Sequence, residues 1–261
     1  QGMVRAIERL AGKIDINLRN RDNRTALMLA AQSGQAGVIR ALKEAGADVE
    51  LTNESGETAL MIAARAGRVQ AIEALHESGA NLERTNVVGW SALLTAAAHD
   101  RPQALAALLA RGANPEHRDN FGWSVLLVAA ANGGTKAFAE LMARGVDPEQ
   151  TTATGITALM LAATYGRVPM IEALADAEVY IDRVTSDGLT AVMFAAQAGQ
   201  AAAIDALAAR GANLDLVNDA GASALMLAAQ RGHVAAIEML IDRGAARELP
   251  DANGWSALML A

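Results

Sequence analysis

The chain has 261 residues, a formal net charge of −7 and a composition that is 52% apolar but only 3% aromatic. A chain this apolar is not disordered, and its net negative charge leaves no electrostatic footprint for DNA or RNA. No apolar run reaches the eighteen residues expected of a membrane span, and the absence of cysteine removes disulfides, thiol nucleophiles and Cys-based zinc sites.

From its first residues, Gln1-Gly2-Met3, the chain shows no charged and apolar leader, so the expected compartment is the cytoplasm. Val4, Ile7 and Leu10 follow at helical spacing and predict one short helix. The string Thr25-Ala26-Leu27-Met28-Leu29-Ala30-Ala31 then returns as Thr58-Ala59-Leu60-Met61-Ile62-Ala63-Ala64. With conservative changes it recurs at Ser91, Ser124, Thr157, Thr190, Ser223 and Ser256, always 33 residues apart. A fixed period of this length marks a stack of supersecondary units. Each hydroxyl reads as the N-cap of a first helix, accepting from a backbone N–H.

Glycine punctuates every unit. Asn23 and then Gly56, Gly89, Gly122, Gly155, Gly188, Gly221 and Gly254 precede the hydroxyl by two residues. A second column (Gly34, Gly67, Asp100, Gly133, Gly166, Gly199, Gly232) closes the first helix, and a third (Gly46, Gly79, Gly112, Gly145, Glu178, Gly211, Gly244) closes a second. Such closures require a left-handed residue, which glycine supplies most cheaply. The second helices show apolar spacing, as in Val69, Ile72 and Leu75, and the chain returns through turns such as Asn53-Glu54-Ser55-Gly56. Glu178 breaks the third column, so the segment 176–182 is expected to be the weakest. The 61 alanines act as spacers that let neighbouring units approach, with Leu27, Leu60, Leu93, Leu126, Leu159 and Leu225 as the larger filling.

These units resemble ankyrin repeats. The signature Thr/Ser-Ala-Leu-Met-Leu-Ala-Ala stands where that family has Thr-Pro-Leu-His-x-Ala-Ala, and Gly46-Ala47-Asp48-Val49 or Gly211-Ala212-Asn213-Leu214 matches its return. Ala or Val replaces the family's Pro, and Met or Leu its His, so the usual Thr–His hydrogen bond does not carry over. The resemblance implies an all-α repeat solenoid of helix-turn-helix units joined by β-hairpin-like turns. The expected organisation is a single array: a partial unit 1–19, full units at about 20–52, 53–85, 86–118, 119–151, 152–184, 185–217 and 218–250, and a partial unit 251–261. The incomplete last unit points to a chain cut from something longer.

No phosphate-binding loop, metalloprotease motif, nucleophile elbow or EF-hand occurs, so neither a catalytic site nor a metal or cofactor site is expected. His76, His99, His117 and His233 fall at different places in the unit and read as solvated or turn residues. The column Met28, Met61, Met160, Met193, Met226 and Met259 reads as core. An acidic column (Glu50, Glu83, Glu116, Glu149, Asp182, Asp215, Glu248) reads mainly as a solvated row that discourages edge pairing, with a rail for a basic partner as the functional alternative. Asn23-Arg24-Thr25 and Asn53-Glu54-Ser55 match the glycosylation sequon by position in a repeating turn.

Arrays that resemble this one bind partners on a concave side made of turn tips and first helices. All three tryptophans (Trp90, Trp123, Trp255) occupy the position just before the hydroxyl. Around the first two, Val87, Val88, His99, Phe121, Ile156 and Tyr165 make the middle of that surface apolar and aromatic, while its ends are polar. The expected function is a monomeric, non-catalytic scaffold that binds a protein or peptide through Val87, Val88, Trp90, His99, Phe121, Trp123, Ile156 and Tyr165. The alternative is a regulatory or sensor segment of a larger enzyme, receptor or channel.

Overall fold

The computed structural model describes residues 2–10 and 13–261. The chain forms two compact units, one of the described residues up to Val125 with Ala139–Arg144, the other of Leu126–Phe138 with Gly145–Ala261. Short helices alternate throughout. The first unit holds α1 (Gly2–Leu10), α2 (Ala26–Ser33), α3 (Ala36–Glu44), α4 (Ala59–Arg65), α5 (Val69–Glu77), α6 (Ala92–Ala98) and α7 (Pro102–Ala110). After α8 (Val125–Asn132) and α9 (Thr135–Ala143), the second unit continues with α10 (Ala158–Thr164), α11 (Val168–Asp176), α12 (Ala191–Gln197), α13 (Ala201–Ala209), α14 (Ala224–Gln230), α15 (Val234–Asp242) and α16 (Ala257–Leu260).

A helix of two turns is marginal alone, so tertiary packing must supply its stability. First helices pack on first helices, α2 on α4 on α6 in one unit and α10 on α12 on α14 on α16 in the other. Second helices do the same, α1 on α3 on α5 on α7 and α11 on α13 on α15. The helix predicted from Val4, Ile7 and Leu10 therefore behaves as a second helix. The paired alanines lie at the seams: Ala31, Ala63, Ala64, Ala96, Ala97, Ala162, Ala163, Ala195 and Ala196 are fully buried. Leu27, Leu60, Leu93, Leu126, Leu159 and Leu225 fill the core, as do five of the six column methionines, whereas Met259 is 64% exposed.

The caps follow the hydroxyl column. The side chains of Thr25, Thr58, Ser91, Thr157, Thr190 and Ser223 accept from the backbone N–H three residues on. Two members depart from the expectation: Ser256 makes no cap bond, and the buried Ser124 hydroxyl has no partner. All three glycine columns are left-handed, including their exceptions Asn23 (φ 58°), Asp100 (φ 48°) and Glu178 (φ 58°). The hairpin-like returns close in isolated antiparallel bridges, Arg118 with Ser124, Thr151 with Thr157 and Val217 with Ser223.

Two rows of hydrogen bonds between neighbouring repeats are not apparent from the sequence pattern. In several repeats the side chain opening the second helix reaches back over the preceding repeat. Arg68 Nε donates to the Gln32 carbonyl (3.2 Å), Arg101 Nε to Arg65 (3.0 Å) and Arg167 Nε to Ala131 (3.1 Å). The glycine beneath is doubly required: Gly34 has φ 77°, and a Cβ there would stand 3.1 Å from Arg68 Cδ. His233 replaces the arginine and donates through Nε2 to the Gln197 carbonyl, so it is no solvated histidine.

The second row corrects the reading of the acidic column. Glu50 accepts from the Asn81 amide, Glu83 from Asn114, Glu149 from Tyr180, Asp182 from Asn213 and Asp215 from Ala246, at 2.6–3.0 Å. These carboxylates are neither a bare rail nor a merely solvated row, because each holds the next repeat's backbone. Charge-assisted bonds of this kind are stronger than neutral ones. On the outer faces, Arg111 pairs with Glu73 and Arg210 with Asp176 across successive second helices. The Asp176 hydrogen bond and charge hold the Arg210 pKa above its ordinary value.

Glu178 bears a Cβ in a left-handed conformation, at a cost of about 1–2 kcal/mol, and its side chain is exposed. Glu178→Gly should therefore stabilise the protein by about 1 kcal/mol. Equilibrium urea unfolding should show a higher midpoint with an unchanged slope, and an unchanged or lower midpoint would contradict the strain argument.

Candidate functional site

Each hairpin tip is organised by one polar side chain. Asn20, Asn53, Asn86, Asp119, Asn218 and Asp251 each accept from the backbone N–H groups two and four residues on. Thr152 and Thr185 hold the N–H four residues on. This Asx-type turn spends the Asn53 side chain, which also donates to Glu57, on local structure. It fixes the residue before the hydroxyl, which in the first unit is Arg24, Glu57, Trp90 and Trp123 in turn.

Two successive hairpins, 86–90 and 119–123, are bolted together. Asn120 donates from its backbone to Val88 O and from its side chain to Val87 O. His117 Nε2 donates to Gly89 O at 2.9 Å, again not a solvated histidine. Gly89 permits this approach, since a Cβ would lie 2.7 Å from the Asn120 nitrogen. The Trp90 indole N–H donates to Asp119 Oδ2 at 3.0 Å, while Asp119 Oδ1 accepts from Phe121 and Trp123 N–H, both at 2.9 Å. Between the hairpins lies an open notch of about 340 Å³, lined by Val88, Trp90, Asp119, Phe121 and Trp123.

Four of the residues singled out in the sequence thus meet: Val88, Trp90, Phe121 and Trp123. Phe121 is 73% exposed, and Val87 and Val88 of the preceding hairpin are 66% and 37% exposed. Phe121, Val87 and Val88 thus leave apolar surface open to solvent at and beside the notch. His99 caps α6, exposed, with Nδ1 donating to Thr95 O. Ile156 and Tyr165 belong to the second unit, Ile156 half-buried in its hairpin and Tyr165 48% exposed at the end of α10. The residue that sequence reasoning missed is Asp119. Its signal was the turn-forming Asn/Asp/Thr column, four residues before each tryptophan.

A cavity of about 400 Å³ beside α16 is lined by Leu225, Ala229, Ile237, Ile241 and Leu258 among others. Among the described residues, no group of three or more His, Asp or Glu side chains is placed to hold a metal ion. No helix there is long and apolar enough to cross a membrane.

Comparisons with known proteins agree with this geometry. The sequence model of ankyrin repeats (three copies) matches residues 1–86, 41–119, 126–218 and 192–261, so the chain belongs to the ankyrin repeat family. It is similar to the crystal structure of the human ASB11 ankyrin repeat domain, with 27% identity and a TM-score of 0.72 over 85% of this chain and 99% of that one. A search of curated proteins finds no match. The fold is an all-α repeat solenoid, and ankyrin repeats are generally protein–protein interaction modules.

Asp119 serves three N–H donors, one of them from the preceding repeat. Asp119→Ala should lower the unfolding free energy by about 2 kcal/mol. Asp119→Asn, the residue found at Asn86, keeps the two backbone bonds and should cost about 1 kcal/mol or less. Thermal or urea unfolding checks both, and an alanine variant no less stable than the asparagine one would contradict the assignment.

Proposed function

We propose that this chain is a non-catalytic scaffold that binds a partner protein or peptide on the concave face formed by hairpin tips and first helices. Val87, Val88, Trp90, His99, Phe121, Trp123, Ile156 and Tyr165 are the proposed contacts. The observation that carries this reading is the notch between hairpins 86–90 and 119–123, with Phe121 and Val87 exposed on a hydrogen-bonded platform. A preformed apolar anchor site loses little entropy on binding, which is how interfaces concentrate affinity in a few aromatic residues. The scaffold acts as a monomer in the cytoplasm.

The test is a peptide-display selection against the whole chain, followed by affinity measurement on the selected peptides. Val87→Ser combined with Phe121→Ser changes two exposed side chains and should barely affect stability. Binding should weaken at least tenfold. Selected peptides that bind the double variant as well as the parent would contradict the proposed surface.

A further inference from the structure

Two helices of this protein stand without the partner that other repeats supply. First and second helices pack in pairs, α2 with α3, α4 with α5, α10 with α11, α12 with α13 and α14 with α15. Among the described residues α1, which packs as a second helix, has no first helix beside it, and α16, a first helix, has no second. Leu258 and Met259 of α16 are 86% and 64% exposed, although Leu225 and Met226, one period earlier, are buried. Leu10 of α1 and Leu29 of α2 are 47% and 43% exposed, although their counterparts Leu42 and Ile62 are buried. Beside α16 lies the cavity of about 400 Å³. Beside α1 lies a hollow of about 310 Å³, lined by Ile7, Leu29, Val38 and Leu42 among others.

We propose that these two surfaces bind each other between copies of this chain, head to tail. The α16 of one copy and the α1 of the next then form a single composite repeat. In it α16 fills the hollow and lies on the next copy's α2, as it lies on α14 in its own chain. The α1 of the next copy covers the cavity and lies on α15, as α15 lies on α13. Each surface supplies the helix that the other lacks, which is why the occupant is a second copy.

Charge gives the contact its polarity and register. Successive second helices are joined by ion pairs, Asp176 with Arg210 and Asp205 with Arg243. Asp242 and Glu238 hold the matching acidic places in α15, 66 and 33 residues on, and join no ion pair among the described residues. Lys13 follows Val4 by nine residues, as Arg243 follows Val234, so the next copy brings a cation to the matching basic place. Glu248 continues the column in which Asp215 holds the Ala246 amide, and the corresponding amide of the next copy is that of Asp15, 33 residues before Asp48. Residues 1–19 carry four basic and two acidic side chains, and residues 218–261 three and five, so unlike ends attract and like ends repel.

Such a contact is heterologous and leaves one surface of each kind open, so assemblies lengthen with concentration. The dilute chain is the monomer of the partner-binding reading, and Val87 and Phe121 lie in neither surface. Sedimentation velocity from about 1 µM to about 1 mM should show an average mass that rises through the range. Leu258→Glu and Leu29→Glu each place a carboxylate where the contact would bury it unpaired, one on each surface. Each variant should stay monomeric throughout, with circular dichroism and urea unfolding like those of the parent, because both side chains are exposed in the monomer. An equimolar mixture of the two variants keeps one intact surface of each kind and should form dimers and nothing longer. A parent that stays monomeric, association that survives either substitution, or a mixture that stays monomeric would each overturn the proposal.

Discussion

A pair of two-turn helices cannot enclose a core, and everything else in this protein follows from that constraint. Each repeat must present one face to the repeat before it and another to the repeat after it. The alanine pairs make those faces flat and close, as fully buried Ala63-Ala64 and Ala96-Ala97 show. Close approach then brings polar groups of neighbouring repeats within hydrogen-bonding distance. Arg68, Arg101 and Arg167 reach the end of the preceding first helix, and Glu50, Glu83 and Glu149 reach the start of the next return. Dispersion and hydrophobic contact supply the bulk of the attraction, while these bonds specify the register at which repeats stack.

The same stitching explains why the hairpin tips can hold exposed aromatics. A free loop carrying Val87, Val88 and Phe121 would collapse its apolar side chains onto the nearest surface. Here the tip backbone is occupied, through Asp119 with Phe121 and Trp123, and through Asn120 with Val87 and Val88. The side chains are left pointing where the backbone puts them. The order of the tip comes from the neighbouring repeat, which supplies Val87 O and Val88 O as acceptors for Asn120.

Most of the local architecture was legible in the sequence, because a local rule repeated eight times is easy to see. Caps at Thr25 or Thr58, left-handed closures at Gly34 or Gly46, and the burial of Leu60 and Met61 all follow from spacing within one unit. What escaped were relations between units. Glu83 finds its partner 31 residues away at a backbone N–H, which has no residue type to betray it. The acidic column therefore looked like a solvated row. Asp119 escaped for a related reason, since its Oδ2 accepts from the indole of Trp90, which belongs to another hairpin. Ser124, in the capping column yet without a partner, has no explanation in the packing around it.

Native-state hydrogen exchange at the Asn81 and Asn114 amides, compared between the parent protein and Glu83→Ala, tests most directly whether repeats are stitched one to the next. Glu83 is the acceptor for Asn114, and Glu50 for Asn81. Loss of one such bond is worth about 1 kcal/mol or somewhat more, so the Asn114 amide should exchange roughly tenfold faster. The Asn81 amide, still held by Glu50, should keep its rate. Unchanged protection at Asn114 would contradict the account, because the carboxylate would then be a bystander on a stack held by apolar contact alone.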